Sequence, residues 1–246
     1  KQKTAYEIGV RLVGSEMCIR DSSQVVGGRW KLLQHMLRES VFTDLTATCT
    51  WAGLCYVRND GITPFNGTVT FDLVRLRVGD VVPIPAWEVS LAPGPATMAW
   101  QCLGGQREGQ GCVALEIQLP QHGCSASGAD CVLRMAVVHA TTGAVVSTND
   151  ALLVPPAHVT LARARVEASV ADHVNVDGTV DVTVTAVGAP ALYVVLTTTC
   201  AGRFSRNGLV VVPSVGAVVV QFVPWEPVNL AVLAASVRVD YLAENL

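Results

Sequence analysis

Hydrolysis by general acid–base chemistry needs two carboxyl groups facing each other, roughly 5–10 Å apart. Glu39, Glu88, Glu108, Glu116, Glu167 and Glu226 are scattered along the chain, and none sits in a recognisable catalytic setting. The five histidines are equally dispersed. His139 and His158 fall within or at the edge of strand-like patterns, where a histidine satisfied by its surroundings is the expected reading. No serine occupies a G-x-S-x-G elbow, and no cysteine and histidine share a nucleophile context. No glycine-rich loop leads from a strand into a helix to cradle a phosphate. The sequence therefore predicts no catalytic residue, no metal site and no cofactor in this chain.

The cysteines carry a different chemistry. Eight are present, and no pair has the short C-x₂₋₄-C spacing of a zinc site. Cys124 and Cys131 bracket a small-residue loop that a disulfide could close, and Cys102 and Cys112 flank a glycine-rich loop in the same way. Reduced, buried thiols are the alternative. Asn66-Gly67-Thr68 is an N-glycosylation sequon. Together these features point to an oxidising, secretory route. Trp51, Trp87, Trp100 and Trp225 have flat apolar faces that suit either core packing or a sugar ring. Trp225 is the weak candidate for substrate contact. It lies between Pro224 and Pro227, which remove backbone donors, so the segment is expected to leave its ladder and seat Trp225 as a plug. Arg203 and Glu226 are candidate ion-pair partners.

The elements that must position these groups follow from composition and period. Half of the 246 residues are hydrophobic, 15% are charged and the net charge is −3, which excludes charge-driven disorder and nucleic-acid binding by bulk positive charge. Mean hydropathy is +0.41, yet no run approaches the ~18–20 apolar residues of a membrane-spanning helix. One helix is expected over 29–39, with Trp30, Leu33 and Leu37 as its apolar stripe and Met36 beside them. Beyond Val41 the period becomes 2, predicting strands at 46–51, 67–76, 113–119 and 132–138. Val154-Pro155-Pro156 reads as a boundary. After it, strands are expected at 159–170, 180–187, 191–198, 209–212, 217–223 and 234–239. The fold class is mostly β: two immunoglobulin-like β-sandwiches preceded by one helix, with sandwiches at 41–156 and 157–246.

Two resemblances refine this organisation. Residues 1–7 and 12–21 resemble translated sequencing-adapter sequence, so 1–22 are set aside as an artefact and the fold is read on 23–246. Three further strings resemble the C-terminal part of a β-mannosidase of glycoside hydrolase family 2. SSQVVGGRWKLLQH at 22–35 resembles the passage from the last barrel strand into the last barrel helix. GRFSRNGL at 202–209 resembles a "GRFSDNGF" string of the final domain, with Arg206 where the family often has Asp. FVPWEP at 222–227 resembles the family's "FYPWEP". The Cys124/Cys131 loop also resembles one in lysosomal members.

That resemblance implies a multi-module, retaining hydrolase of terminal, non-reducing β-D-mannose residues, lysosomal or secreted, a route that the sequon at Asn66 also fits. Its catalytic glutamates would lie upstream on a (β/α)₈ barrel. Residues 23–40 would be that barrel's last helix, 41–156 a mannosidase Ig/CBM-like sandwich and 157–246 a C-terminal Ig-like one. The implied partners are the missing catalytic barrel of the same chain and, for the parent, an oligosaccharide substrate, with no nucleic acid and no membrane. The piece itself would be inactive. The alternative is a non-enzymatic Ig-like module that binds carbohydrate or protein.

Overall fold

A computed structural model describes residues 30–40, 42–94, 97–104 and 112–244. The adapter-like segment lies outside the described residues, as do Glu108 and the start of the expected helix. The chain is mostly β, as its period implied. Helix α1 (Leu32–Ser40) comes first. It is followed by β1 (Leu45–Cys49), β2 (Leu54–Asn59), β3 (Phe65–Arg75), β4 (Val81–Leu91), β5 (Thr97–Cys102), β6 (Cys131–His139) and β7 (Val145–Leu152). These strands build two antiparallel sheets, ordered β1-β2-β5 and β4-β3-β6-β7. Val57, Val69, Phe71, Leu133 and Met135 interlock between them, each with almost no exposed surface.

Strands β2, β4, β5 and β7 were not among the expected ones, and β4 is the least foreseeable, because Pro83 and Pro85 cannot donate to a ladder. It is tolerated because β4 is an edge strand, and its register against β3 shifts between Val69 and Phe71. The segment 113–119 was expected to be a strand and is instead helix α2 (Leu115–Gln118) running into a 3₁₀ turn, Leu119–His122. Its apolar residues satisfy both periods: Leu115, Gln118 and Leu119 are buried on one helical face while Ile117 is exposed. Pro120 then removes a donor that a strand would need.

The remaining strands are β8 (Arg165–Val170), β9 (Val180–Val187), β10 (Ala191–Thr197), β11 (Gly202–Phe204), β12 (Leu209–Val211), β13 (Val218–Pro224) and β14 (Arg238–Asp240). They form antiparallel sheets ordered β11-β13-β9-β8 and β12-β10-β14. Val182, Val184, Val194, Phe204, Phe222 and Leu233 fill the space between. The closing strand is shorter than expected, because helix α3 (Leu230–Ser236) takes up the first half of that run. The Asn229 side chain accepts hydrogen bonds from the Ala231 and Val232 amides at 3.0 and 3.2 Å, capping an alanine-rich segment that favours helix.

The two sandwiches share a third core. Val74, Leu76 and Val132 of the first meet Leu192 and Val212 of the second, each at most 1% exposed. Polar ties surround it: Ser214 Oγ donates to the Gly79 carbonyl at 2.6 Å, and Arg134 Nη2 donates to the Val210 carbonyl at 3.2 Å. Arg134 is held by Asp150 at 2.7 Å and stands opposite Asp72 in the β3–β6 register. Burial raises the Asp72 carboxyl above the usual carboxylate range, and Arg134 opposes that shift.

Among the described residues, disulfides join Cys49 to Cys55, Cys102 to Cys112 and Cys124 to Cys131, all in the first sandwich. The first links directly opposed residues of the β1–β2 hairpin. Cys200 is a free thiol. No helix among the described residues is long and apolar enough to cross a membrane.

The shared core makes the sandwiches one folding unit. Leu76→Ala is expected to cost about 2–5 kcal/mol, the range for a buried leucine. Urea denaturation followed by tryptophan emission and by circular dichroism should give one coincident transition. Two separate transitions in the unmodified protein would contradict the shared core.

Candidate functional site: the junction of helix and sandwiches

The GRFSRNGL string at 202–209 runs from β11 into β12, and its side chains hold helix α1. Asn207 is the pivot. Its Oδ1 accepts from the Leu196 amide at 2.7 Å, and its Nδ2 donates to the Leu196 carbonyl at 3.0 Å. The side chain is buried and replaces the ladder partner that Leu196 lacks there. Gly208 follows with φ +76, a backbone conformation that favours glycine, and its amide donates to the Val194 carbonyl at 3.0 Å. A Cβ at Gly208 would come within 2.6 Å of Leu32 Cδ1, so the absence of a side chain also lets α1 approach closely.

Three arginines reach the helix from both sides. Arg206 makes a two-pronged pair with Glu39 at 3.0 and 3.2 Å. The Arg203 guanidinium stacks over the Trp30 ring, 4.4 Å from its centroid. From the helix side, Arg38 Nη1 donates to the Ser205 carbonyl at 3.1 Å. The Arg206–Glu39 pair is partly exposed, so its contribution is small and its value is orientation. Arginine at 206, where the family string often has Asp, therefore has a partner in this chain.

The helix does not present the stripe expected of it. Leu33 is exposed, and the residue that enters the junction is His35, only 3% exposed. Leu32, His35, Met36 and Glu39 form the inward face, at i, i+3, i+4 and i+7. His35 packs edge-on against Trp30 with centroids 5.2 Å apart. Burial is the main cause that lowers its pKa to about 4. Arg38 and Arg203 push it the same way and Glu39 opposes them, so the imidazole is neutral at physiological pH.

A cavity of about 220 Å³ opens where α1, β7 and β10 meet. Met36, Glu39, Asp150, Tyr193 and Arg206 contribute to its walls. Tyr193 has φ +52, unusual for a residue with a side chain, at a register irregularity in the pairing of β10 with β12. Burial, assisted by the Asp150 charge, raises its hydroxyl pKa.

The remaining residues singled out by sequence are not gathered into one place. Among the described residues no group of three or more His, Cys, Asp or Glu side chains could hold a metal ion. His139 is partly buried in β6, edge-on to Phe65, and its Nδ1 accepts from the Thr141 amide at 3.2 Å. His158 is exposed in the 3₁₀ turn Pro156–His158. Trp225 is not a plug: the chain leaves the β13 ladder after Pro224, but the ring is 48% exposed. Arg203 stacks on Trp30 rather than pairing with Glu226. Trp87 is buried, whereas Trp51 and Trp100 are exposed, the latter against Tyr56 with centroids 4.8 Å apart. Asn66 is exposed on β3, and its Oδ1 accepts from Ser90 Oγ at 2.6 Å.

His35, Arg206 and Asn207 were missed as a unit because nothing in the sequence joins residues 35 and 207. The usable signal was the second stripe of the helix, Leu32, Met36 and Glu39 around His35, which a short segment apolar at 30, 32, 33, 36 and 37 also permits.

Comparison with known proteins places the second sandwich. Residues 161–245 match Ig_mannosidase, an Ig-fold domain family. No curated protein matches the chain. Two solved structures of the Amycolatopsis orientalis exo-chitosanase, variants in complex with PNP-β-D-glucosamine, are similar in fold at 14% identity and a TM-score of 0.50. In each, the similarity covers 81% of this chain and 25% of the other. The chain thus spans about a quarter of the length of the structures it matches.

The buried imidazole gives the junction a pH dependence of definite sign. The unfolded chain takes up a proton at His35 near pH 6.5, which the folded chain refuses until about pH 4. Its contribution to stability is therefore present above pH 6.5 and lost as pH falls towards 4, by about 3 kcal/mol in full. Denaturation at pH 7.0 and 4.5 should show a smaller acid loss in His35→Leu than in the parent chain. An equal loss in both would contradict the assignment.

Proposed function

We propose that this chain is the C-terminal accessory region of a retaining β-mannosidase that removes terminal, non-reducing β-D-mannose. Its own task is structural: it receives the last helix of a catalytic (β/α)₈ barrel and braces it. The observation that carries this reading is the match of residues 161–245 to the Ig_mannosidase domain, whose GRFSRNGL turn is the part that grips α1. A glycosidase parent is also consistent with the similarity in fold to the much longer exo-chitosanase. The mannoside preference rests on the strings at 22–35, 202–209 and 222–227.

In this reading the barrel of the same polypeptide is the partner, and both catalytic glutamates reside there. The oligosaccharide substrate belongs to the parent, and Trp225 is an exposed ring available to its approach. A lysosomal or secreted location fits three disulfides in a small sandwich and an exposed sequon asparagine at Asn66.

The test is to read the gene upstream of the codon for Ser23 and express the extended protein. It should hydrolyse an aryl β-mannoside with retention of configuration, while the 246-residue chain alone shows no turnover. Preference for an aryl β-glucosaminide would contradict the mannosidase reading. Hydrolysis by the short chain that a single carboxylate substitution abolishes would contradict the accessory role.

A further inference from the structure

Two polar atoms at the junction are buried and, among the described residues, have nothing to bond to. His35 Nδ1 and Arg203 Nη1 are shielded from solvent, and neither has a hydrogen-bond partner among the described residues. Both side chains line one cavity of about 120 Å³ between α1 and the second sandwich. A buried donor left unmade costs about 1–3 kcal/mol, and more when it is charged. Two such groups facing one cavity call for an occupant.

The chemistry of the walls narrows what that occupant is. The Asn207 amide is committed on both sides to Leu196. The Thr198 hydroxyl is engaged by Ser236 and by the Cys200 amide. Apart from Thr197, which is exposed, what remains is a guanidinium, which only donates, and an imidazole nitrogen that donates when it carries the proton. The charge beside the cavity is positive: Arg203 lines it, Arg38 lies 5.6 Å from the centroid of the same Trp30 ring, and Glu39 is taken up by Arg206. Both groups need an acceptor, a carboxylate is the one that also answers the guanidinium charge, and the space equals that of roughly four waters, enough for the end of an acidic side chain.

We infer that this cavity is a carboxylate-binding site, in which the bound carboxylate accepts from Arg203 Nη1 and from the Nδ1–H tautomer of His35. The site goes beyond the function proposed above, since it is built by α1 and the Ig-fold domain alone and stands whatever the parent hydrolyses. The carboxylate has two sources of the same chemistry, an acidic side chain of polypeptide packed on α1 or a small free acid.

The experiment titrates sodium acetate into the 246-residue chain, with sodium chloride at matched ionic strength as control, and follows the Arg203 Nε–Hε resonance by NMR. A saturable shift is expected with acetate and not with chloride. Arg203→Lys should weaken it at least tenfold, whereas Arg165→Lys, at an exposed β8 arginine paired with Glu167 away from the junction, should leave it unchanged. Circular dichroism and the melting temperature establish that each variant is folded. A crystal grown in acetate supplies a readout that needs no variant, with a carboxylate expected within hydrogen-bonding distance of Arg203. No response beyond the chloride control, an undiminished response in Arg203→Lys, or a cavity holding only water would overturn the inference. Repeating the titration on the N-terminally extended protein separates the sources. An Arg203 resonance already at its saturated position assigns the carboxylate to the polypeptide, and a retained response assigns it to a small acid.

Discussion

The C-terminal half of the molecule depends on one amide. Asn207 closes both backbone groups of Leu196 from within the sandwich, and thereby fixes the loop between β11 and β12 against β10. Without it, a buried N–H and a buried C=O would each lose a partner, at about 1–3 kcal/mol apiece. With it, Arg203, Arg206 and Gly208 become a rigid edge of known spacing. The helix is then seated by that edge: a stacked guanidinium at its N-terminal end, a two-pronged ion pair at its C-terminal end, and a bare glycine between them that admits Leu32. An isolated helix of nine residues is not stable in water, so this docking is what makes α1 a helix.

The junction is also where electrostatics and burial compete most strongly. His35 is placed inside rather than a leucine, and its neutral form is enforced by desolvation with two cations nearby. The same side chains leave an imidazole nitrogen and a guanidinium nitrogen unpaired over a small cavity. They are the two groups that call for an occupant at this junction.

Strands buried on alternate faces were legible because their period is strict: 180–187 was expected and Val180–Val187 is found. β4 was illegible because Pro83 and Pro85 argue against a strand until its place at the sheet edge is known. Residues 113–119 misled because Leu115 and Leu119 fit periods of both 2 and 3.6, and only packing decides between them. The helix was legible as a helix, but its inward face was misjudged by one position, since that face is chosen by Gly208 and Asn207, some 170 residues away. The GRFSRNGL string could be recognised as a likeness, but its work as a clamp required the fold. Trp225 looked like a plug from its flanking prolines, which end the ladder but do not bury a ring.

The central claim, that α1 is held as an integral part of the Ig-fold domain through the turn at 202–209, is tested most directly by native-state hydrogen exchange. Helix amides donating within α1, together with the Phe42 amide that bonds to the Leu37 carbonyl at 2.8 Å, should be protected to nearly the same free energy as the amides of β10. Exchange of those amides at the rate of an unstructured chain, while β10 remains protected, would contradict the account.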